Sequence, residues 1–335
     1  MDILVIKLGA IGDVIRTTSI LHGLKSKYKN CAIDWVTKKE SFDVLKNNKL
    51  INNIYLINKN IENEIKNKNY DLLINLDDDF DASNLAMEIN SKKIVGAYLK
   101  NGKRIYTEDS SLWFDMGLIS KFGKQKADSL KLENKKTYQE IIYKILGLEY
   151  KKQGPILILN NDELNFGKNF AGKNNIKNDD LVIGVNTGAG GRWQDKKLSI
   201  EKTIELIDKL NNKLKTKLIL FGGPEEKIRN EKIKSLAKTN IIDAGCNNSL
   251  MEFASLVNLC NILITSDSLA LHIGIALKKK IVSFYYPTSE SEIETYGIGI
   301  KIIGKGKDYC SYKLKCDIPP KWDIDEMVNA VKKLI

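Results

Sequence analysis

Hydrophobic runs alternate with amphipathic stretches along the chain, and the first such pair opens it. The apolar, β-branched run Ile3–Ile6 predicts a buried strand, and apolar positions at helical spacing from Val14 to Leu24 predict a helix. Gly9 and Gly12 separate the two, so Asp13 stands at or beside the start of the helix. Asp13 is then either a helix cap or a carboxylate that faces a site. Both interpretations stay open here, because Gly9–Gly12 lacks the full dinucleotide-binding fingerprint.

The alternation of strand and helix continues in two blocks, separated by a short linker at Lys151–Pro155. Such alternation is typical of βαβ units and of parallel sheets covered on both faces, so we expect one doubly wound sheet in each block. The predicted strands after the first are Ala32–Thr37, Asn53–Ile57, Asp71–Leu76 and Lys93–Ala97, then Leu181–Asn186, Lys217–Phe221, Ile241–Asp243, Ile262–Thr265 and Lys280–Phe284.

Length and composition fit a globular chain of two domains. It has 335 residues, of which 43% are hydrophobic and 28% charged. No window approaches ~18 consecutive apolar residues, and no basic segment followed by an apolar one precedes the first strand. We therefore expect a cytoplasmic protein.

The net charge of +11 is spread over both halves and permits attraction to an anionic substrate or an anionic membrane surface. A basic patch interleaved with aromatic residues is not evident, which argues against nucleic acid as a partner. The five cysteines are odd in number and scattered, so we expect reduced thiols. Cys310 and Cys316 are close in sequence, but two thiols at that spacing indicate a metal only weakly.

Two loops that follow predicted strands carry residues suited to anions. Thr187 and Gly188 begin a glycine-rich loop that also contains Arg192 and Lys196, and backbone N–H groups in such a loop can bind phosphate. The loop is not a Walker A motif, so a flexible solvated loop remains an alternative. In the next loop, Glu225 and Glu226 follow Gly-Gly-Pro. They could bind a ribose, although the residues alone favour helix capping.

A third loop opens a helix directly after a buried strand. Asp267, Ser268 and Leu269 stand at this start, and His272 lies about one turn inside. A helix start presents unsatisfied N–H groups and the positive end of a dipole, which suits a diphosphate. A lone histidine is more often structural than catalytic, yet its place beside this helix start favours a role in the site.

Taken in order, four segments of the chain resemble glycosyltransferase family 9, the bacterial heptosyltransferases. They are Val5–Thr18, Gly188–Lys197, Leu220–Glu226 and Ser266–Thr288, which ends in Tyr-Pro-Thr. The resemblance implies the GT-B architecture, in which two Rossmann-like doubly wound domains face a central cleft. Residues 1–155 would bind the acceptor and residues 156–322 the nucleotide-sugar. The helix in residues 323–335 would pack back on the N-terminal domain.

The resemblance also implies roles for individual residues. Asp13 matches the general base of the family, flanked on the acceptor side by Gly9 and Gly12, and Lys196 matches its lysine near the donor phosphates. Other matches to the donor site are Thr187 and Gly188 in the phosphate loop, Glu225 or Glu226 at the ribose, and Asp267, Ser268, Leu269 and His272 at the donor helix. The chain departs from the family pattern with Ser268 in place of threonine and Leu269 in place of glycine.

These matches predict an inverting transfer of heptose from ADP-heptose to an anionic lipopolysaccharide-core acceptor at the cytoplasmic face of the membrane. They call for no cofactor and no metal. Transfer to a protein or another surface glycan is an alternative, as is a catalytically silent module that binds nucleotide-sugars, although the presence of both Asp13 and Lys196 opposes the latter. An NAD-dependent oxidoreductase is disfavoured, because the predicted second strand ends in Thr37-Lys38-Lys39 without an acidic residue. We expect the helix start to lower the pKa of Asp13.

Overall fold

A computed structural model describes residues 1–58, 61–65, 67–191 and 193–335, with residues 62 and 63 described by their backbone alone. The chain forms two compact units. The first consists of Met1–Ile158 with the short segment Ser291–Glu294, and the second consists of Leu159–Glu290 with Thr295–Ile335. The main crossing from one unit to the other therefore lies three residues beyond the expected boundary at 155.

The first unit is built on a six-stranded sheet of order β3-β2-β1-β4-β5-β6. Its strands are β1 (Asp2–Ile6), β2 (Ala32–Thr37), β3 (Asn53–Leu56), β4 (Leu72–Asn75), β5 (Ile94–Lys100) and β6 (Lys103–Tyr106). All neighbours are parallel except β6, which forms an antiparallel hairpin with β5. The central strands β1 and β4 are apolar and almost wholly buried, as expected for a parallel sheet covered on both faces.

Eight α-helices among the described residues accompany this sheet. They are α1 (Ile11–Thr17), α2 (Ile20–Lys27), α3 (Phe42–Leu45), α4 (Ile61–Ile65), α5 (Phe80–Glu88), α6 (Ser111–Phe114), α7 (Lys124–Glu133) and α8 (Tyr138–Ile145). The single helix expected over Val14–Leu24 is interrupted between α1 and α2. There the hydroxyl groups of Thr17, Thr18 and Ser19 donate to the carbonyl groups of Asp13, Ile15 and Arg16, respectively. Hydroxyl groups that bond carbonyls of the preceding turn tend to bend a helix.

The second unit repeats the strand order around an all-parallel sheet, β12-β11-β10-β7-β8-β9. Its strands are β7 (Val182–Asn186), β8 (Lys217–Phe221), β9 (Ile242–Asp243), β10 (Ile262–Ser266), β11 (Lys280–Tyr285) and β12 (Gly299–Ile303). Its helices are α9 (Asn161–Lys173), α10 (Ile200–Lys213), α11 (Lys227–Leu236), α12 (Leu250–Asn258), α13 (Leu269–Ala276) and α14 (Ile324–Leu334).

The C-terminal helix α14 lies in the second unit and packs in its core. Its apolar face, which includes Met327, Val328 and Val331, belongs to the core cluster of the second unit together with Leu210 of α10 and Val282 of β11. This strongly amphipathic helix buries its apolar stripe against the nearest sheet and helix of the unit to which it is joined.

Each sheet has one topological switch point, between β1 and β4 in the first unit and between β7 and β10 in the second. On either side of it the connections run in opposite directions, which opens a crevice at the carboxyl ends of the two strands. Ligands of open α/β sheets bind in such crevices. Within the described residues, no helix is long and apolar enough to cross a bilayer.

Candidate functional site

Asp13 lies at the switch point of the first unit, on the helix that follows β1. The N-cap residue of α1 is Ala10, and Asp13 is the third residue of the helix, so it does not cap it. Its carboxylate is about one-third exposed, and its Oδ1 lies 2.9 Å from the guanidinium Nη2 of Arg16. The carboxylate is thus both oriented by a cation and open to solvent.

Two aromatic rings hold Arg16 in place. Its guanidinium carbon lies 4.1 Å from the centre of the Tyr138 ring and 5.6 Å from that of Trp113, and these rings meet edge to face at 5.0 Å. The Tyr138 hydroxyl is 2.7 Å from the hydroxyl of Thr17, on the same helix as Asp13. Trp113, in α6, thus connects this part of the chain to the helix that carries Asp13.

A buried ion pair lies beneath the turn that precedes α1. Lys7 Nζ is 2.6 Å from Asp77 Oδ1, and the other oxygen of Asp77 accepts hydrogen bonds from the backbone N–H groups of Leu8 and Gly9. A Cβ on Gly9 would stand 2.8 Å from Asp77 Oδ1, so this glycine is required by the close approach of the carboxylate. Burial tends to lower the pKa of Lys7, but the charges of Asp77 and Asp13 more than reverse it, and Lys7 stays a cation.

The three loops singled out in the second half emerge side by side, since they follow the adjacent strands β10, β7 and β8. Asn186, the last residue of β7, ties two of them together. Its side-chain amide donates to the carbonyl oxygen of Gly188 at 2.7 Å and lies 3.1 Å from the hydroxyl of Thr265. The glycine-rich loop is therefore fixed to the end of β10 at the switch point.

Lys196 and Asp267 form the central ion pair of this site. Lys196 Nζ donates to Asp267 Oδ2 at 2.8 Å and to the Asp267 carbonyl at 2.9 Å, and it lies 4.5 Å from the ring centre of Trp193. The Thr288 hydroxyl donates to the same carboxylate oxygen at 2.8 Å. Burial by itself would raise the pKa of Asp267, but the charges of Lys196 and His272 and these hydrogen bonds lower it to about 2.

The helix α13 begins beside this ion pair. Ser268 is its N-cap residue, but the Ser268 hydroxyl lies 3.0 Å from that of Thr265 instead of capping the helix backbone. Leu269 occupies the first helical position and is half-buried, and His272 is buried one turn further on. Asp267, Ser268 and His272 thus surround one helix start, as the sequence predicted.

The two glutamates after β8 differ in environment. Glu226 is buried, its Oε1 lies 2.6 Å from Lys197 Nζ, and its Oε2 accepts from the Gly223 N–H at 3.0 Å. Glu225 is exposed, and its carboxylate would lie 3.3 Å from a Cβ on Gly191 of the glycine-rich loop. Of the two, only Glu225 is thus accessible to a ligand near that loop.

Two further residues were expected in the donor site. One of them has a buried hydroxyl group that bonds within the protein, and the other is outside the described residues. The Thr187 hydroxyl is buried, 2.9 Å from the Phe221 carbonyl and 2.6 Å from Asn230 Oδ1, so it joins β7 to β8. Arg192 is outside the described residues. Among the residues that are described, no group of three or more His, Cys, Asp or Glu side chains is placed to hold a metal ion, and all five cysteines are free thiols.

The sequence profile of glycosyltransferase family 9 (heptosyltransferase) matches residues 59–321, well over half of the chain. The chain belongs to this family. This protein is therefore a glycosyltransferase, and its two six-stranded sheets form the GT-B architecture. No curated protein sequence matches it.

Solved structures share the fold of this family 9 glycosyltransferase at low sequence identity. A family 9 glycosyltransferase from Veillonella parvula has a TM-score of 0.79 at 20% identity, covering 99% of this chain and 96% of that one. The ADP-heptose LPS heptosyltransferase II of E. coli has a TM-score of 0.69 at 16% identity, covering 100% and 98%. The E. coli heptosyltransferase WaaC with ADP has a TM-score of 0.63 at 15% identity, covering 99% and 96%.

Proposed function

We propose that this family 9 glycosyltransferase inverts the anomeric centre of ADP-heptose as it transfers the heptose to an anionic lipopolysaccharide-core sugar. Asp13 acts as the general base on the acceptor hydroxyl. The observation that carries the proposal is the environment of Asp13, a partly exposed carboxylate held by Arg16 at the switch point of a doubly wound sheet. The two E. coli heptosyltransferases that share this fold support heptose as the sugar and ADP as the nucleotide.

In the donor site, the start of α13 and the glycine-rich loop bind the diphosphate, and Glu225 hydrogen-bonds the ribose. Lys196 uses two of its three N–H donors on Asp267, which leaves one that can reach a phosphate oxygen. It also neutralises Asp267, whose carboxylate would otherwise repel the diphosphate. Both effects favour negative charge at this helix start.

The chemical step needs no covalent intermediate. Asp13 takes the proton of the acceptor hydroxyl as its oxygen attacks the anomeric carbon. The bond from that carbon to the diphosphate oxygen breaks, and ADP leaves with the electron pair. The net charge of +11 favours an acceptor that carries phosphate or carboxylate groups.

A donor screen followed by a transfer assay tests the proposal. Calorimetric titration with ADP-heptose and with GDP-, UDP- and dTDP-sugars should show selective binding of the adenosine donor. Heptose-deficient lipopolysaccharide should then accept the sugar, measured as ADP release and as the mass increase of the acceptor. Tighter binding of a uridine or guanosine donor contradicts the heptosyl assignment. Donor binding without transfer to lipopolysaccharide, protein or other glycans indicates a silent binding module.

A further inference from the structure

A short segment of the first unit, residues 117–126, exposes large apolar side chains among lysines. Leu118 is 81% exposed and Phe122 is 53% exposed. The segment contains the lysines Lys121, Lys124 and Lys126, all exposed, and no acidic residue. Single exposed apolar residues are ordinary on a protein surface, but two of this size within five residues and flanked by cations are typical of an interaction surface.

The fold holds this segment in place. Successive turns run from Gly117 to Ser120 and from Ser120 to Gly123, where α7 begins. The Tyr106 hydroxyl donates to Asp115 Oδ1 at 2.5 Å and accepts from the Lys121 N–H at 3.0 Å, which ties both ends of the first turns to β6. The exposure of Leu118 and Phe122 is therefore a property of an anchored loop.

The charges of the segment favour an anionic partner. Lys121 approaches Glu108 at 3.3 Å, a pair whose carboxylate is 87% exposed and which solvent therefore screens. Lys124 and Lys126 lie in the first turn of α7, where the positive end of the helix adds to their field. A surface that combines protruding apolar side chains with cations matches the interface of an anionic bilayer, which needs both signals for firm binding.

The same stretch of chain also reaches the Asp13 helix. Trp113, four residues before Gly117, contacts Arg16, and Arg16 holds the Asp13 carboxylate. A bilayer contact at residues 117–126 would thus lie in the first unit, close to the helix of Asp13, where we propose that the acceptor binds.

We infer that residues 117–126 dock this enzyme on an anionic membrane, with Leu118 and Phe122 inserted among the headgroups and the three lysines on the lipid phosphates. The inference rests on the proposed function, since a lipid-anchored acceptor gives the contact its purpose. Vesicle binding, however, is measured without any turnover. The membrane contact can therefore be disproved while the proposed transfer stands, and the proposed transfer can be disproved while the membrane contact stands.

The test is co-sedimentation of the full chain with vesicles of phosphatidylcholine alone and with about one-third phosphatidylglycerol. We expect binding only to the anionic vesicles, and weaker binding at higher salt. Since each basic residue at such a surface contributes about fivefold to partitioning, Lys124→Gln with Lys126→Gln should weaken it about 25-fold. Leu118→Ser with Phe122→Ser should weaken it at least about tenfold.

The matched control is Lys227→Gln with Ile228→Ser, which removes a lysine and an apolar side chain that is 72% exposed in the second unit. It should leave vesicle binding unchanged. The segment variants should keep the thermal transition, the ADP affinity and the transfer to a deacylated, water-soluble acceptor, while transfer to acceptor in vesicles falls.

Three results would overturn the inference. The first is equal binding of the protein to neutral and anionic vesicles. The second is an equal loss of vesicle binding in the control variant and in the segment variants. The third is a dimer in solution that dissociates in Leu118→Ser with Phe122→Ser while vesicle binding persists. The last result would assign the surface to a second copy of the chain.

Discussion

The carboxylate of Asp13 and the guanidinium of Arg16 form an ion pair of 2.9 Å within a single helix, three residues apart. The pair has a cost and a benefit for a general base. A neighbouring cation favours the ionised carboxylate and so makes it a weaker base, but it also fixes the oxygen that must meet the acceptor hydroxyl. Because Arg16 is stacked on Tyr138, the orientation does not depend on a freely moving side chain.

Asp13→Asn should lower kcat by about 10²–10⁴-fold, the usual contribution of a positioned general base, and leave ADP affinity unchanged. The measurements are ADP release and calorimetric titration. Asp43→Asn is the matched control, because Asp43 also lies in the first turn of a short helix and pairs with a cation three residues later, Lys46, at 3.0 Å. If Asp13→Asn turned over like the control, Asp13 would not be the base.

Arg16→Gln should raise the pKa of Asp13, since removal of the cation disfavours the carboxylate. The acidic limb of the kcat/KM profile should then move to higher pH. Lys7 remains as a cation near Asp13, which limits the shift. Arg16→Lys keeps the charge, so its limb should stay in place while kcat falls through loss of the stacked geometry. An unmoved limb in Arg16→Gln would show that the pair does not tune the base.

Gly9→Ala should destabilise the protein by about 1–3 kcal/mol, because the new Cβ would stand 2.8 Å from Asp77 Oδ1 and 3.1 Å from Lys7 Nζ. Urea denaturation followed by circular dichroism measures the change. Gly154→Ala is the control, since nothing lies within 4 Å of a Cβ there. Equal stability of the two variants would argue against close packing at the turn.

The low pKa of Asp267 makes a part of the stability depend on pH. A carboxyl group with a folded pKa of about 2, below its unfolded value, stabilises the protein above pH ~4, and this contribution of about 2 kcal/mol is lost as the pH falls to about 2. In Asp267→Asn the loss of stability between pH 4 and 2 should be correspondingly smaller. Asp317→Asn, a carboxylate 85% exposed, should follow the parent curve.

Glu225→Gln should weaken ADP binding about tenfold or more, the loss expected for a charge-assisted hydrogen bond to a ribose hydroxyl, without a change in stability. Glu226→Gln should destabilise the protein and leave ADP affinity unchanged, because it breaks a buried ion pair with Lys197 and a helix-capping contact. Calorimetry and urea denaturation together separate the two. Loss of nucleotide affinity in Glu226→Gln alone would exchange the roles.

The sequence predicted most strands because buried parallel strands appear as continuous apolar runs, and Ala32–Thr37 and Lys217–Phe221 were predicted to the residue. The edge strands β6 and β12 were missed. Both are partly exposed and carry lysine or arginine within the strand, so they lack an apolar run. The interruption of the helix after Thr17 was not predicted, because the spacing of apolar residues carries no information on hydroxyl groups that donate to carbonyls of the preceding turn.

The candidate site was predictable where a motif is local and was not where it depends on distant contacts. Asp267, Ser268 and His272 are neighbours in sequence, and the helix start brings them together. The role of Asp77 could not be predicted locally, because its partner Lys7 is 70 residues away and only the pairing of β1 with β4 brings the two together.

The return of Ser291–Glu294 to the first unit means that no single cut separates the two halves as complete bodies. The Tyr138 N–H, at the first position of α8, donates to the Glu292 carbonyl at 2.9 Å, and the intervening side chain of Ile293 is buried. A fragment that ends at Ile158 would lose the hydrogen-bond acceptor of the Tyr138 backbone, and the ring of Tyr138 is the one that stacks on Arg16. Isolated halves would therefore have to be made by grafting these four residues onto the first unit, and an exchange of second units between related proteins would have to leave the segment with the first unit.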